Sequence, residues 1–152
     1  MAEIKITDVV INIREAEKCF AGQNKRDIQF PVLKLQEGNS KARIFNEGKA
    51  SDNTSLGAYK NARYKAFRQS IGRQTGYKDL EVFGDLRRNF TVGTNGDDIV
   101  LGFATDKARL IAVGQEQQTG KEIWKPTKEV INDIKKAAVK RIRECLRKSF
   151  KK

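Results

Sequence analysis

Residues 90–101 run Phe90-Thr91-Val92-Gly93-Thr94-Asn95-Gly96-Asp97-Asp98-Ile99-Val100-Leu101, and this stretch decides the fold class. Asn-Gly is the preferred central pair of a two-residue type I′ turn, because both positions need positive φ. A turn on Asn95-Gly96 sets Thr94 opposite Asp97, Val92 opposite Ile99 and Phe90 opposite Leu101. Side chains alternate faces along a strand, so both apolar pairs fall on one face of the ribbon. The spacing predicts a β-hairpin with one buried face, and Leu80 to Phe83 reads as a third strand beside it.

On both sides of the hairpin the period becomes that of helices. Residues 105–114 (TDKARLIAVG) predict a short helix with Thr105 or Asp106 as its N-cap and Gly114 just past its end. Trp124 anchors the approach to a terminal helix that starts near Pro126-Thr127, since Pro suits a first turn and Thr can cap it. Ile131, Ile134, Ala138, Ile142, Cys145 and Leu146 form its expected buried stripe. At the other end, Ile6, Val9, Val10, Ile13, Ala16 and Phe20 predict an amphipathic helix from about Ile6 to Phe20, stopped by Ala21-Gly22.

The middle of the chain is less regular. Residues 28–35 alternate imperfectly and contain Pro31, which leaves an edge strand and an extended arm as alternatives. Residues 46–55 (NEGKASDNTS) have the composition of an exposed turn region. From Leu56 to Arg73 the pattern is a basic helix or helical turns, with Tyr59, Arg63, Phe67 and Ile71 on one side. Gly72 and Gly76 bracket a break after it. The sum is an α+β domain: a small antiparallel sheet with a central hairpin, packed by an N-terminal helix and a long basic C-terminal helix. A chain of 152 residues fits one domain over 1–152, with 1–40 as helix and arm and 126–150 as the basic helix.

Composition excludes several chemistries. The chain has no His, which removes imidazole-based catalysis and His-ligated metal. Two cysteines, Cys19 and Cys145, are too few for a thiolate cage or a disulfide framework, and each is expected to be a small buried side chain in a reducing compartment. Asp97-Asp98 sits where a turn favours acids, and Gly93 to Gly96 lacks the Gly-Lys-Ser/Thr of a phosphate loop. GRQTG (72–76) is a Gly-bounded turn with no nucleotide-binding context. No run is long and apolar enough to span a membrane, and MAEIKITDVV is not an export signal. The expectation is a protein without enzymatic activity, cofactor or small-molecule substrate.

The charge is uneven. Lys plus Arg is 31 against 19 acids, a net of +12. Residues 121–152 contain 12 bases and four acids, a net of +8, which leaves 19 bases and 15 acids, a net of +4, on the other 120 residues. At 100° per residue, Lys136, Lys140, Arg143 and Arg147 align opposite the apolar stripe of the terminal helix. They are the candidate contact for a polyanion or an acidic partner, against the alternative of a solvated face matched to the helix dipole. A weaker candidate is the set Arg63, Lys65, Arg68 and Arg73, interleaved with Tyr59, Tyr64 and Phe67 as a stacking platform would be.

The order of parts over residues 44–134 resembles the tail-completion or head–tail joining proteins of tailed bacteriophages. The parts are RIFNEGKASDNTSLGAYKNARYKAFRQSIGRQ, DLEVFGDLRRNF, TVGTNGDDIVLGF, TDKARLIAVG and EIWKPTKEVINDI. They follow the family's Gly-containing segment, Tyr- and Lys-rich stretch, Leu-x-x-x-Gly turn, hairpin, short helix and closing helix. Where that turn has Thr before Gly, this chain has Phe83. The first 40 residues and the basic tail lie outside the resemblance. It implies a structural virion protein in the phage neck, assembled in the host cytoplasm as a ring of about six or twelve copies. The implied partners are its own copies, the portal or an adjacent neck ring, tail proteins, and double-stranded DNA in the channel. On that reading residues 28–35 would lie on a neighbour's sheet edge. The alternative is a nucleic-acid-binding protein that contacts phosphates through the terminal helix without reading sequence.

Overall fold

The computed structural model describes residues 17–96 and 98–149. A 3-10 turn, Lys18–Phe20, leads into α1 (Gly22–Lys41), which ends in a π-helical turn, Ala42–Asn46. After a long connection come α2 (Ala62–Ser70), α3 (Asp85–Asn89), the strands β1 (Phe90–Asn95) and β2 (Asp98–Phe103), α4 (Asp106–Thr119) and α5 (Lys128–Ser149). The class is α+β, with two antiparallel strands as its sheet among the described residues.

The hairpin forms where the sequence places it, in a register two residues away from the expected one. Phe90 pairs with Phe103, Val92 with Leu101, Thr94 with Ile99, and Asn95 with Asp98. The turn therefore starts at Gly96 (φ 59°), and Asn95 belongs to the strand. A slip of two keeps every side chain on its face, so the apolar face survives with new partners. The expected Thr94–Asp97 pair involves residue 97, which lies outside the described residues.

Residues 28–35 are neither edge strand nor arm. They are the middle of α1, with Pro31 inside it, and α1 packs on the hairpin and on α5 of its own chain. This overturns the expected arm on a neighbour. Val32, Glu37 and Ser40 are buried, and Ile28, Gln29, Leu33 and Gln36 are half-buried, at spacings of three and four. That stripe is helical in period but largely polar, so hydrophobicity alone does not reveal it. The Glu37 carboxylate explains how a polar stripe docks. It accepts from the Val92 amide at 3.1 Å and pairs with Lys34 and Lys41, each at 2.7 Å. Burial raises its pKa, but the two ammonium groups and the Val92 amide outweigh that and hold it at about 2. Of the N-terminal helix expected over 6–20, residues 6–16 lie outside the described residues. Its end is the 3-10 turn, and Ala21 is extended (φ −129°, ψ 157°), so the break falls at the expected place.

Leu80 to Phe83 is not a strand. Leu80 takes a left-handed conformation (φ 53°), which no strand tolerates. The carbonyls of Glu81 and Val82 are taken by the guanidinium groups of Arg68 at 3.0 Å and Arg73 at 2.9 Å, so they bond to side chains in place of a ladder. The helix after the hairpin is capped by Thr105, whose hydroxyl accepts from the Ala108 amide, as expected. It runs past Gly114 to Thr119 and ends at Gly120 (φ 65°). Tyr59 precedes α2, whose N-cap is Asn61. The turn region 46–55 is only partly exposed, because Gly48 and Ala50 are buried within it.

The core comprises Ile44, Phe45, Ala50, Leu56, Leu86, Ala108, Ala112 and Ile123, with Leu80, Phe103 and Trp124 packed against it. Trp124 meets Phe103 edge-on at 4.8 Å and Phe90 at 5.6 Å, and its indole donates to the Ala112 carbonyl at 3.1 Å. The Glu116 carboxylate accepts from the amides of Ile123 and Trp124, which fixes the turn into α5. Arg43 reaches the same turn and donates to the carbonyls of Lys49, Ile123 and Lys125.

Candidate polyanion-binding face

The hydroxyl of Thr127 accepts from the Val130 amide at 3.2 Å, and α5 starts at Lys128 as the sequence predicts. Glu129 lies in the first turn and Arg147 and Lys148 in the last, the order that suits the helix dipole. The helix packs on α1 and the 3-10 turn. Ile134, Ala138, Ile142, Cys145 and Leu146 are half-buried against them, whereas Ile131 stays 37% exposed, so the expected stripe is shallower and shorter than read from the sequence.

The far end of that stripe is fixed covalently. Cys19, in the 3-10 turn, forms a disulfide with Cys145, with the two Cα atoms 6.0 Å apart across a sequence separation of 126. This corrects the expectation of two separate thiols. Two cysteines do not make a framework, but one bridge needs only two, and their meeting depends on how α5 lies against the body. Cys145 is about 180° around the helix from Lys136. The bridge therefore fastens the face opposite the basic residues.

All four stronger candidates, Lys136, Lys140, Arg143 and Arg147, are exposed on α5 and line one open depression with Val139 and Glu144. Lys136 lies 4.0 Å from Asp133. Among the described residues, Lys140, Arg143 and Arg147 make no ion pair.

The weaker set is dispersed. Arg68 is fully buried and cannot contact a partner. It donates to both oxygens of Asp79 at 2.8 and 2.9 Å and to the carbonyls of Gln74 and Glu81, and its guanidinium lies 4.4 Å from the Tyr59 ring centre. Arg73 is half-buried on the Val82 carbonyl, while Arg63 is exposed and Lys65 half-buried. The aromatics serve the same buried charge: Tyr64 packs edge-on against Tyr59 at 5.3 Å, and the Tyr59 hydroxyl bonds Asp79 at 2.9 Å. Burial and the Asp79 carboxylate push the Tyr59 pKa up. The stacking platform is thus a structural hub. Arg43, Glu37 and Glu116 were not singled out by sequence, and Arg68 was read as a surface base, because a charge paired with distant groups leaves no local pattern.

A cleft of about 390 Å³ lies between this hub and α4, lined by Tyr59, Leu80, Phe83, Leu86, Ile111 and Gln115 among others. Its ionisable groups other than tyrosine are Lys78 and Asp85. Among the described residues, no group of three His, Cys, Asp or Glu could hold a metal ion, and no helix is long and apolar enough to cross a membrane. Asp98, of the Asp97-Asp98 pair, is held by Lys25 at 2.6 Å and so ties β2 to α1.

No family model, curated protein or solved structure matches the chain.

Proposed function

We propose that this protein is a structural, non-enzymatic component of a tailed-phage particle, a neck protein that completes the joint between head and tail. The observation that carries the reading is the order of parts over residues 44–134. A buried segment, a basic helix, a glycine turn into a short helix, a hairpin, a capped helix and a Trp-Pro entry to the last helix follow one another along the chain, and all but the basic helix contribute to one core. That order is the one the resemblance rests on. A second observation supports it. Disulfides persist on virions and outside cells and are rare in the cytosol, so the Cys19–Cys145 bridge suits a protein that leaves its host inside a particle.

On this reading the chain assembles as a closed ring of about six or twelve copies. Its other partners are the portal or an adjacent neck ring and the tail. Quantitative mass spectrometry of gradient-purified particles, compared with infected-cell lysate, tests it. A small fixed copy number per particle is expected. Abundance in lysate with absence from particles would remove the connector reading.

A further inference from the structure

We infer that the α5 ridge of Lys136, Lys140, Arg143 and Arg147 is a sequence-independent binding surface for the phosphate backbone of duplex DNA. The inference does not depend on the neck assignment.

The first argument is charge left over after folding. On the body of the molecule, Arg43, Arg68, Arg73, Arg87 and Arg88 are all engaged with carboxylates or carbonyls. Residues 134–148 hold seven bases (Lys135, Lys136, Lys140, Arg141, Arg143, Arg147 and Lys148) and one acid (Glu144), a net of +6. All seven are exposed. A ridge of cations on a rigid rod, of which Lys136 is paired with Asp133 at 4.0 Å and the other three make no ion pair among the described residues, releases counterions when it meets phosphates, which is the source of non-specific DNA affinity.

The second argument is geometry. The four residues lie within about 60° of one another around the axis and span 11 residues, about 17 Å. One strand of B-DNA presents a phosphate for about every 3.4 Å of axis, so the ridge matches roughly five phosphate steps. The disulfide and α1 hold the opposite side of the helix, so the ridge projects outward.

The third argument is what the ridge lacks. A protein interface is anchored by aromatic or large apolar side chains and is depleted in lysine. The only apolar residue lining this depression is Val139, and two of its cations are lysines. Single strands bind on aromatic platforms, and the ridge has none. The major groove of duplex RNA is too deep and narrow for a helix to enter, whereas that of B-DNA admits one.

The test is fluorescence anisotropy of the full-length oxidised protein with two short duplexes of unrelated sequence, titrated across salt from about 50 mM upward. Both duplexes are expected to bind alike, with a slope of log K against log salt of about −3.6 for four contacts. Lys140→Gln with Arg143→Gln should reduce the slope by about 1.8, while Arg63→Gln with Lys65→Gln leaves it unchanged. Glu144→Gln should tighten binding a few-fold, a gain that misfolding cannot produce. Far-UV melting of each variant checks the fold. An unchanged slope in the Lys140/Arg143 variant would overturn the inference. So would loss of the slope in the Arg63/Lys65 variant, or no binding at about 50 mM salt, which would turn the ridge towards an acidic protein.

Discussion

Replacing Arg68 by Met tests whether the buried Arg68–Asp79 pair is a structural hub. The wild-type guanidinium is fully buried, makes two bonds to the Asp79 carboxylate, and donates to the Gln74 and Glu81 carbonyls. Removing it leaves a carboxylate in a site that is 4% exposed, still held by the Tyr59 hydroxyl, the Gln74 amide and the Glu81 amide. Breaking one partner of a buried pair costs about 3–5 kcal/mol. For a domain of this length that corresponds to a fall in Tm of about 10 °C. Asp79→Asn should cost a similar amount, because it turns an amide towards a buried guanidinium.

The double variant removes both charges and leaves the Gln74 and Glu81 carbonyls and one donor at residue 79 to be paired again. Its cost should therefore fall short of the sum by about 2–3 kcal/mol. Urea unfolding followed by far-UV circular dichroism gives all four free energies. A loss below about 1 kcal/mol for Arg68→Met, or additive single variants, would refute the hub. A folded Arg68→Met protein whose DNA-binding slope drops would refute it from the functional side.

Three further outcomes follow from the same structure. Reducing the Cys19–Cys145 bridge, or replacing Cys145 by Ser, frees a loop of 126 residues in the unfolded chain and should lower stability by up to about 5 kcal/mol; urea midpoints with and without reductant measure it, and coincident curves would mean the bridge constrains nothing. Glu37 has a folded pKa of about 2 against an ordinary 4.5, so its contribution of up to about 3 kcal/mol is complete above pH 4.5 and fades as pH falls towards 2. Glu37→Gln should flatten that acid limb in urea midpoints taken from pH 7 to 2. At Gly48 (φ 63°) a Cβ would stand 2.4 Å from the Tyr77 ring and 2.7 Å from the Lys78 carbonyl, so Gly48→Ala should cost about 2–4 kcal/mol. Gly57→Ala, at φ 87° with open space around it, should cost about 1 kcal/mol, and urea midpoints of both glycine variants measure the difference.

What the sequence makes legible is what local chemistry dictates. Asn95-Gly96 announces the hairpin, Thr105 and Thr127 announce two helix starts, and the spacing of Lys136, Lys140, Arg143 and Arg147 announces the basic face. Where partners are remote, the pattern misleads. The buried stripe of α1 contains Gln36, Glu37 and Ser40, and Glu37 docks there because Val92, 55 residues away, supplies an amide beside the ammonium groups of Lys34 and Lys41. Leu80 to Phe83 has the apolar content of a strand, but the guanidinium groups of Arg68 and Arg73 occupy its carbonyls. Arg68 looks like a surface base in a basic stretch, and only Asp79 and Tyr59 reveal it as buried. The candidate site was more readable than the body around it, because a cationic ridge on a capped helix needs no distant partner.

The Cys19–Cys145 bridge also decides how the molecule carries load. A pull applied between a point before Cys19 and a point after Cys145 enters and leaves at two backbone positions 6.0 Å apart. The tension runs through the sulfur–sulfur bond and bypasses every strand and helix from α1 to the last turns of α5. While the bridge is closed, force along that line cannot unzip the hairpin or peel α1 from it. After reduction the same force acts on the full intervening span. The oxidised and reduced proteins thus differ in extensibility, which a single-molecule pulling trace reads as the absence or presence of one long lengthening step.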